Sequence, residues 1–147
     1  MVFGFRLARV RLGKNRKTDL IKNVPLFSRV SKRELQQVAA LADEIDLPAG
    51  KEIIREGERG REFFVILDGE AEVRRGGRKL ATLSEGDFAG EIALVSRVPR
   101  TATVKTTTPV RALVVTDQSF RSLLRQSPDI QLKILEALAE RVEPAVA

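Results

Sequence analysis

A chain of 147 residues with 43% apolar composition and a formal charge of +6 has the length and make-up of one globular domain with a real core. It contains neither cysteine nor histidine, which excludes a disulfide framework, thiolate chemistry, histidine-ligated metals and any histidine base or triad. No apolar run approaches the ~20 residues needed to cross a bilayer and no signal-peptide core interrupts the N-terminal arginines, so a cytoplasmic protein is expected.

The charge is uneven. Residues 1–17 hold Arg6, Arg9, Arg11, Lys14, Arg16 and Lys17 and no acid, so residues 18–147 are neutral. The high pI therefore describes a tail, and nothing marks the body as a nucleic-acid binder. Within the tail Phe3, Phe5 and Leu7 alternate as in a strand, while Phe3, Leu7 and Val10 also share one helical face. A basic amphipathic segment suits anionic lipid or a phosphate backbone. The simplest expectation is a poorly ordered basic terminus.

Residues 19–30 read as a short helical turn broken before Pro25, followed by a Leu26-Phe27 anchor. Ser31 opens a clear helix, with Glu34 placed to complete a reciprocal capping box. Leu35, Val38, Ala39 and Ala42 form its buried stripe. From Asp43 to Thr116 the chain breaks into short runs (EIDL, EIIRE, EFFVIL, EAEVRR, RKLATL, TATVKT, RALVV) punctuated by glycines. Such spacing predicts a mainly β protein, an antiparallel jelly-roll-like β-roll of about eight strands. Pro48-Ala49-Gly50 and Gly76-Gly77 are turns, and Asp68-Gly69 is the strongest hairpin signal. After Thr116 the helical period returns. Asp117 to Gln126 carries Phe120, Leu123 and Leu124 on one face. Ser127-Pro128 then starts a second helix striped by Ile130, Ile134, Leu138 and Val142, which Pro144 ends. The expected plan is a tail over 1–17 and a domain over 18–147, with one N-terminal helix, a β-roll near 43–116 and two C-terminal helices near 117–142.

The stretch richest in chemistry is Gly86 to Thr103, GDFAGEIALVSRVPRTAT. A glycine turn feeding a short helical piece leaves backbone N–H groups free to face an anion. Gly90 before Glu91 suggests a close backbone approach or a positive φ. Arg100 offers a planar fork of donors suited to phosphate oxygens. Glu91 is a poor neighbour for phosphate but a good acceptor for sugar hydroxyls. A solvated surface pair is the plain explanation of one Glu and one Arg, yet together in this loop they point to a nucleotide whose sugar and phosphate lie close. Arg97, Glu85 and Asp87 read as surface or turn residues.

The sequence GDFAGEIALVSRVPRTATV resembles the phosphate-binding cassette of cyclic nucleotide-binding domains. That family includes regulatory subunits of cyclic-nucleotide-dependent kinases, cyclic-nucleotide-gated channels and bacterial catabolite-activator-type regulators. VPLFSRVSKRELQQVAAL is similar to its N-terminal helical segment and LPAGKEIIREGERGREFFVILDGEAEV to its first strands, so the likeness runs from about Asn23 to Val142. The resemblance implies that Glu91 accepts from the ribose 2′-hydroxyl and Arg100 pairs with the cyclic phosphate. Gly90, the amides around Ile92 and Ala93, and Thr101 would complete those contacts. Val73 and Leu80 would line the base pocket, and the last helix would act as a lid through Leu138 or Arg141. For Leu138, packing on its own helix stripe is an equal explanation. A threonine at Thr101 goes with cGMP in kinase and channel members, while bacterial members with it can prefer cAMP. The ligand implied is thus cAMP, slightly ahead of cGMP, with no metal.

The leading expectation is a sensor whose C-terminal helices close on the ligand, acting on an effector protein or fused domain. One competing reading is a catabolite-activator-type transcription regulator without its helix-turn-helix, since the chain stops at Ala147. Another is a ligand-free interaction domain of the same fold. An enzyme is least expected, because no residues pair a nucleophile with a base. A homodimer through the last helix is a further implication of the family.

Overall fold

The computed structural model describes residues 12–140, so the expectations for residues 1–11, Arg141, Val142 and Pro144 lie outside the described residues. Within them, eight strands form two four-stranded antiparallel sheets. The strands are β1 (Asp43–Leu47), β2 (Glu52–Ile54), β3 (Glu62–Asp68), β4 (Ala71–Arg75), β5 (Arg78–Leu83), β6 (Phe88–Ala89), β7 (Thr103–Thr106) and β8 (Val110–Thr116). One sheet has the order β1-β8-β3-β6 and the other β2-β7-β4-β5. Among the described residues four α-helices flank them: α1 (Lys14–Ile21), α2 (Lys32–Ala39), α3 (Asp117–Gln126) and α4 (Pro128–Glu140). The mainly β, jelly-roll-like architecture matches the expectation.

α1 is an addition, because the sequence predicted one helix before the roll and a tail running to residue 17. The helix begins at Lys14. It is held by contacts that periodicity does not display. Ile21 is fully buried and Thr18 nearly so. The Lys17 ammonium donates to the Ala42 carbonyl at 2.8 Å, and the Leu12 N–H donates to Glu44 at 2.8 Å. Glu44 sits inside a small polar network and also accepts from Arg111 at 2.6 Å. Burial pushes the Glu44 carboxyl up, but the Leu12 N–H and Arg111 outweigh it and leave the group below its ordinary range.

α2 forms where Ser31 predicts it. The Ser31 hydroxyl accepts the Glu34 N–H at 3.1 Å, and Glu34 accepts the Ser31 N–H at 2.8 Å. The Glu34 carboxylate also accepts from Lys133 of α4 at 2.6 Å, so a local cap doubles as a tie between distant helices. α3 is capped by Thr116, whose hydroxyl accepts the Ser119 N–H at 3.2 Å. Ser127 precedes α4 and accepts the Ile130 N–H at 3.5 Å.

The Asp68-Gly69 expectation needs correcting. It predicts a hairpin between β3 and β4, yet those strands belong to different sheets. The turn carries the chain across the roll. The carbonyl of Glu70 accepts from the Thr107 N–H at 2.9 Å, and the Glu70 N–H donates to the Thr108 hydroxyl at 2.9 Å. An Asp-Gly pair reports a sharp reversal, whereas the partner of the next strand is set by where its apolar face finds cover. Gly76-Gly77 does close a hairpin, with Arg75 opposite Arg78 in the β4–β5 pairing.

The largest apolar cluster lies between the β1-β8-β3-β6 sheet and the helices. Phe63, Val65, Leu113 and Val115 meet Ile21, Leu26, Phe27, Val38, Phe120, Ile130 and Ile134 there. Phe27 sits at its centre, with ring centroids 6.1 Å from Phe63 and 5.9 Å from Phe120. Phe63 in turn makes an edge contact with Phe88 at 6.1 Å. Smaller clusters fill the inside of the roll, one around Ile54, Phe64, Ala71 and Val104 and another around Ile66, Val110 and Ala112.

Candidate functional site

β6 ends at Ala89, and Gly90 then turns the chain into a 3-10 segment, Glu91–Leu94. Gly90 has φ 86°, a left-handed conformation that glycine adopts without a steric penalty. A side chain there would also come within 2.8 Å of the Glu62 carbonyl oxygen. The Ala93 N–H is used inside the turn, donating to the Gly90 carbonyl at 3.1 Å. The Ile92 N–H lies in the first turn, where geometry provides no acceptor within the segment. Ala93 and Leu94 are buried and anchor the turn to the roll and to the helix-side core.

Arg100 reaches back to this turn from the corner that follows. Its backbone is pinned on both sides: the Arg100 N–H donates to Glu58 and its carbonyl accepts from Gly57, each at 2.8 Å. Its side chain donates through Nη2 to the Glu62 carbonyl at 2.6 Å and through Nη1 to the Gly90 carbonyl at 3.3 Å. The head group packs on Gly60, where a Cβ atom would overlap Nε and Cζ of the guanidinium. Burial pulls the Arg100 pKa below the ordinary guanidinium value, while the negative charges of Glu62 and Glu91 oppose that pull. The group stays cationic, as arginine does in proteins. The next residue is held as well, because Arg75 Nε donates to the Thr101 carbonyl at 2.9 Å.

These elements enclose a cleft of about 370 Å³. Gly90, Glu91, Ile92, Ala93, Arg100 and Thr101 all line it, as does Val73 from β4. The structure thus gathers seven of the sequence-derived candidates at one place. Leu80 does not join them and is 52% exposed. The β4–β5 register steps from Val73 opposite Ala81 to Arg74 opposite Lys79, which leaves Leu80 as the extra residue of a bulge on an edge strand. Leu83 takes the wall position that Leu80 was expected to hold. Leu138 is elsewhere too. It lies in a separate groove with Leu94, Val95, Leu124 and Ile134, packed against the helix-side core. Arg141 lies outside the described residues.

Several lining or supporting residues escaped the sequence reading. Ile54, Leu83, Phe88 and Val98 complete the apolar wall, and Val98 is 58% exposed at its edge. Gly60 and the Glu62 carbonyl fix the arginine. A backbone carbonyl leaves no mark in a sequence. Gly60 did leave one, being a glycine between two arginines and outside the positive-φ region, where lack of space rather than backbone freedom demands it. Among the described residues no group of acidic side chains is placed to hold a metal ion, and no helix is long and apolar enough to cross a membrane.

Known proteins resemble this chain in sequence and in fold. The chain is 35% identical over 113 residues to the cAMP-dependent protein kinase regulatory subunit of Schizosaccharomyces pombe, covering 76% of this chain and 27% of that protein. It spans about a quarter of the length of the curated relatives it matches. Among solved structures, the N-terminal domain of a transcriptional regulator from Streptomyces coelicolor superposes with a TM-score of 0.73 at 26% identity, covering 84% of this chain and 90% of that one. The regulatory domain of Toxoplasma gondii PKA with cAMP superposes with a TM-score of 0.67 at 25% identity, covering 74% and 43%. The family model described as the cyclic nucleotide-binding domain matches residues 44–127, from β1 through α3 and so across the whole cleft, and the chain belongs to that family.

Proposed function

We propose that the cleft binds a cyclic nucleotide, cAMP slightly ahead of cGMP, and that α3 and α4 respond to its occupancy. One observation carries the reading: a half-buried guanidinium, already held by two carbonyls, faces a cleft whose other walls are mainly apolar. A volume of about 370 Å³ suits a small ligand, and a single fixed cation in an apolar pocket selects an anionic head on an apolar body. The role of Arg100 is to pair with the cyclic phosphate, helped by the Ile92 N–H and by Thr101. The role of Glu91, on the same wall, is to accept from the ribose hydroxyl. Gly90 lets the backbone approach. Val73, Leu83 and Val98 supply the face against which the base lies.

The response follows from what stands behind the turn. Leu94 ends the 3-10 segment and lines the groove that also contains Leu124 of α3 and Leu138 of α4. Leu138 therefore reads the back of the cassette rather than the base. A shift of the turn is felt by both helices, and the ligand can drive it only through different affinities for the two arrangements. Such couplings are typically ~1–3 kcal/mol. A regulatory output to an effector protein or fused domain fits relatives that carry this domain within much longer chains.

Calorimetric titration with cAMP and cGMP, on the parent chain and on Arg100→Ala and Glu91→Ala, tests the reading. Saturable binding that both variants weaken sharply while keeping the fold is the expected result. Equal affinity in parent and variants would remove the assignment.

A further inference from the structure

A second concave surface lies beside the cleft but does not include Arg100. It is lined by Arg61, Arg97, Asp117, Gln118, Arg121 and Arg125 and encloses about 260 Å³. Three segments bring these residues together. Arg61 stands just before β3, Arg97 sits in the loop after the 3-10 turn, and the others lie along α3. Asp117, Arg121 and Arg125 are spaced four apart and so share one helix face. The start of α3 is fixed against Arg61 by the Asp117 N–H, which donates to the Arg61 carbonyl at 2.7 Å.

Four guanidiniums therefore face one hollow with a single carboxylate among them. Among the described residues none of the four takes part in an ion pair. Arg111 is the opposite case, with Glu44 at 2.6 Å and Asp46 at 3.4 Å. The Nε of Arg121 is buried and has no hydrogen-bond partner among the described residues. A buried N–H without an acceptor is rare in folded proteins and asks for an explanation. Charges of one sign gathered on a concave wall repel unless a counter-charge enters, and a concave wall lets several planar forks reach one guest.

We propose that this hollow is a second binding site, for a small, multiply charged phosphate-type oxyanion. Arginine forks match phosphate oxygens two at a time, and four of them against one acid suit a guest with more than one negative charge. The site is separate from the nucleotide cleft in its side chains. It adjoins it through the backbone, because Arg61 lies between Gly60 and Glu62, both of which touch the Arg100 guanidinium.

Titrating the full chain with inorganic pyrophosphate, in low-salt buffer without cyclic nucleotide, tests the proposal. Saturable one-site binding is expected, with Arg100→Ala leaving it intact. The double variant Arg97→Ala/Arg125→Ala is expected to weaken it at least tenfold. Both positions are exposed, so thermal melting should confirm that the fold persists. Arg125→Lys should fall between parent and double variant, because it keeps the charge and loses the fork. The site does not exist if the parent shows no saturable binding, if Arg100→Ala abolishes it, or if the double variant binds as the parent does.

Discussion

The two faces of the β1-β8-β3-β6 sheet are used in opposite ways. On the helix side, three fully buried phenylalanines and a layer of isoleucine, leucine and valine fill the space. On the roll side, the apolar clusters are small and the interior opens into a cleft with an arginine at its wall. Phe63 belongs to the first region and Phe88 lines the second, and their rings touch. The lesson is a division of labour within one sheet: stability is concentrated where packing is dense, which frees the other face to hold a hollow and a half-buried charge.

Breaking the dense side should have the largest effect. Phe120→Ala or Phe27→Ala removes a fully buried ring from the helix-side cluster and is expected to cost about 3–5 kcal/mol of unfolding free energy, read by chemical denaturation. The opposite experiment is Arg100→Ala. It should weaken the proposed cyclic-nucleotide binding by about 100-fold, the scale of a lost charge-assisted pair, while the denaturation midpoint moves little. If Arg100→Ala unfolds the protein as Phe120→Ala does, the division of labour is wrong.

Gly60→Ala sharpens the comparison further. The added methyl collides with the end of a flexible side chain rather than with backbone, so Arg100 can move aside and the fold survives. The displaced guanidinium should lower the proposed cyclic-nucleotide affinity by about tenfold, a smaller loss than removal of the charge. Calorimetry alongside a thermal melt separates the two quantities. Unchanged affinity would mean that the guanidinium position is not set by Gly60.

The smallest expected effect is on pH. The Lys133 hydrogen bond, with the Ser31 N–H, holds the Glu34 carboxyl below its ordinary range. A lowered folded pKa gives stability that is present above the unfolded value of about 4.3 and lost as pH falls through the folded one. Glu34 holds Lys133 above its usual value, so that contribution is present below about 10.4 and lost as pH rises through the folded pKa. Glu34→Gln should therefore flatten both limbs of stability against pH. Limbs identical to the parent's would show that the tie between α2 and α4 contributes nothing.

How much of this was legible in the sequence depends on whether a feature is local. The Ser31 capping box, the glycine-punctuated strands and the Gly-Glu and Pro-Arg-Thr elements all declare themselves within a few residues. The features that escaped depend on distant partners. α1 is stabilised by Ala42 and Glu44, more than twenty residues away in the chain. Asp68-Gly69 marked a turn without saying which sheet the next strand would join. Leu80 looked inward until a bulge in β4–β5 pairing left it outside, and no local pattern encodes that bulge. Gly60 was visible as a residue but not as the other half of Arg100.

The two carbonyls that hold Arg100 belong to β3 and to the Gly90 turn, so the scaffold orients the cation by itself. A guanidinium has five N–H donors, and these bonds use two of them. Freezing a long side chain upon association ordinarily costs about 0.5–1.5 kcal/mol, and here that loss of freedom belongs to folding instead. Recognition of an anion at this wall should thus be governed by desolvation of the charge and little by rotamer search, and the corner bearing Arg100 should change shape very little between its empty and filled forms.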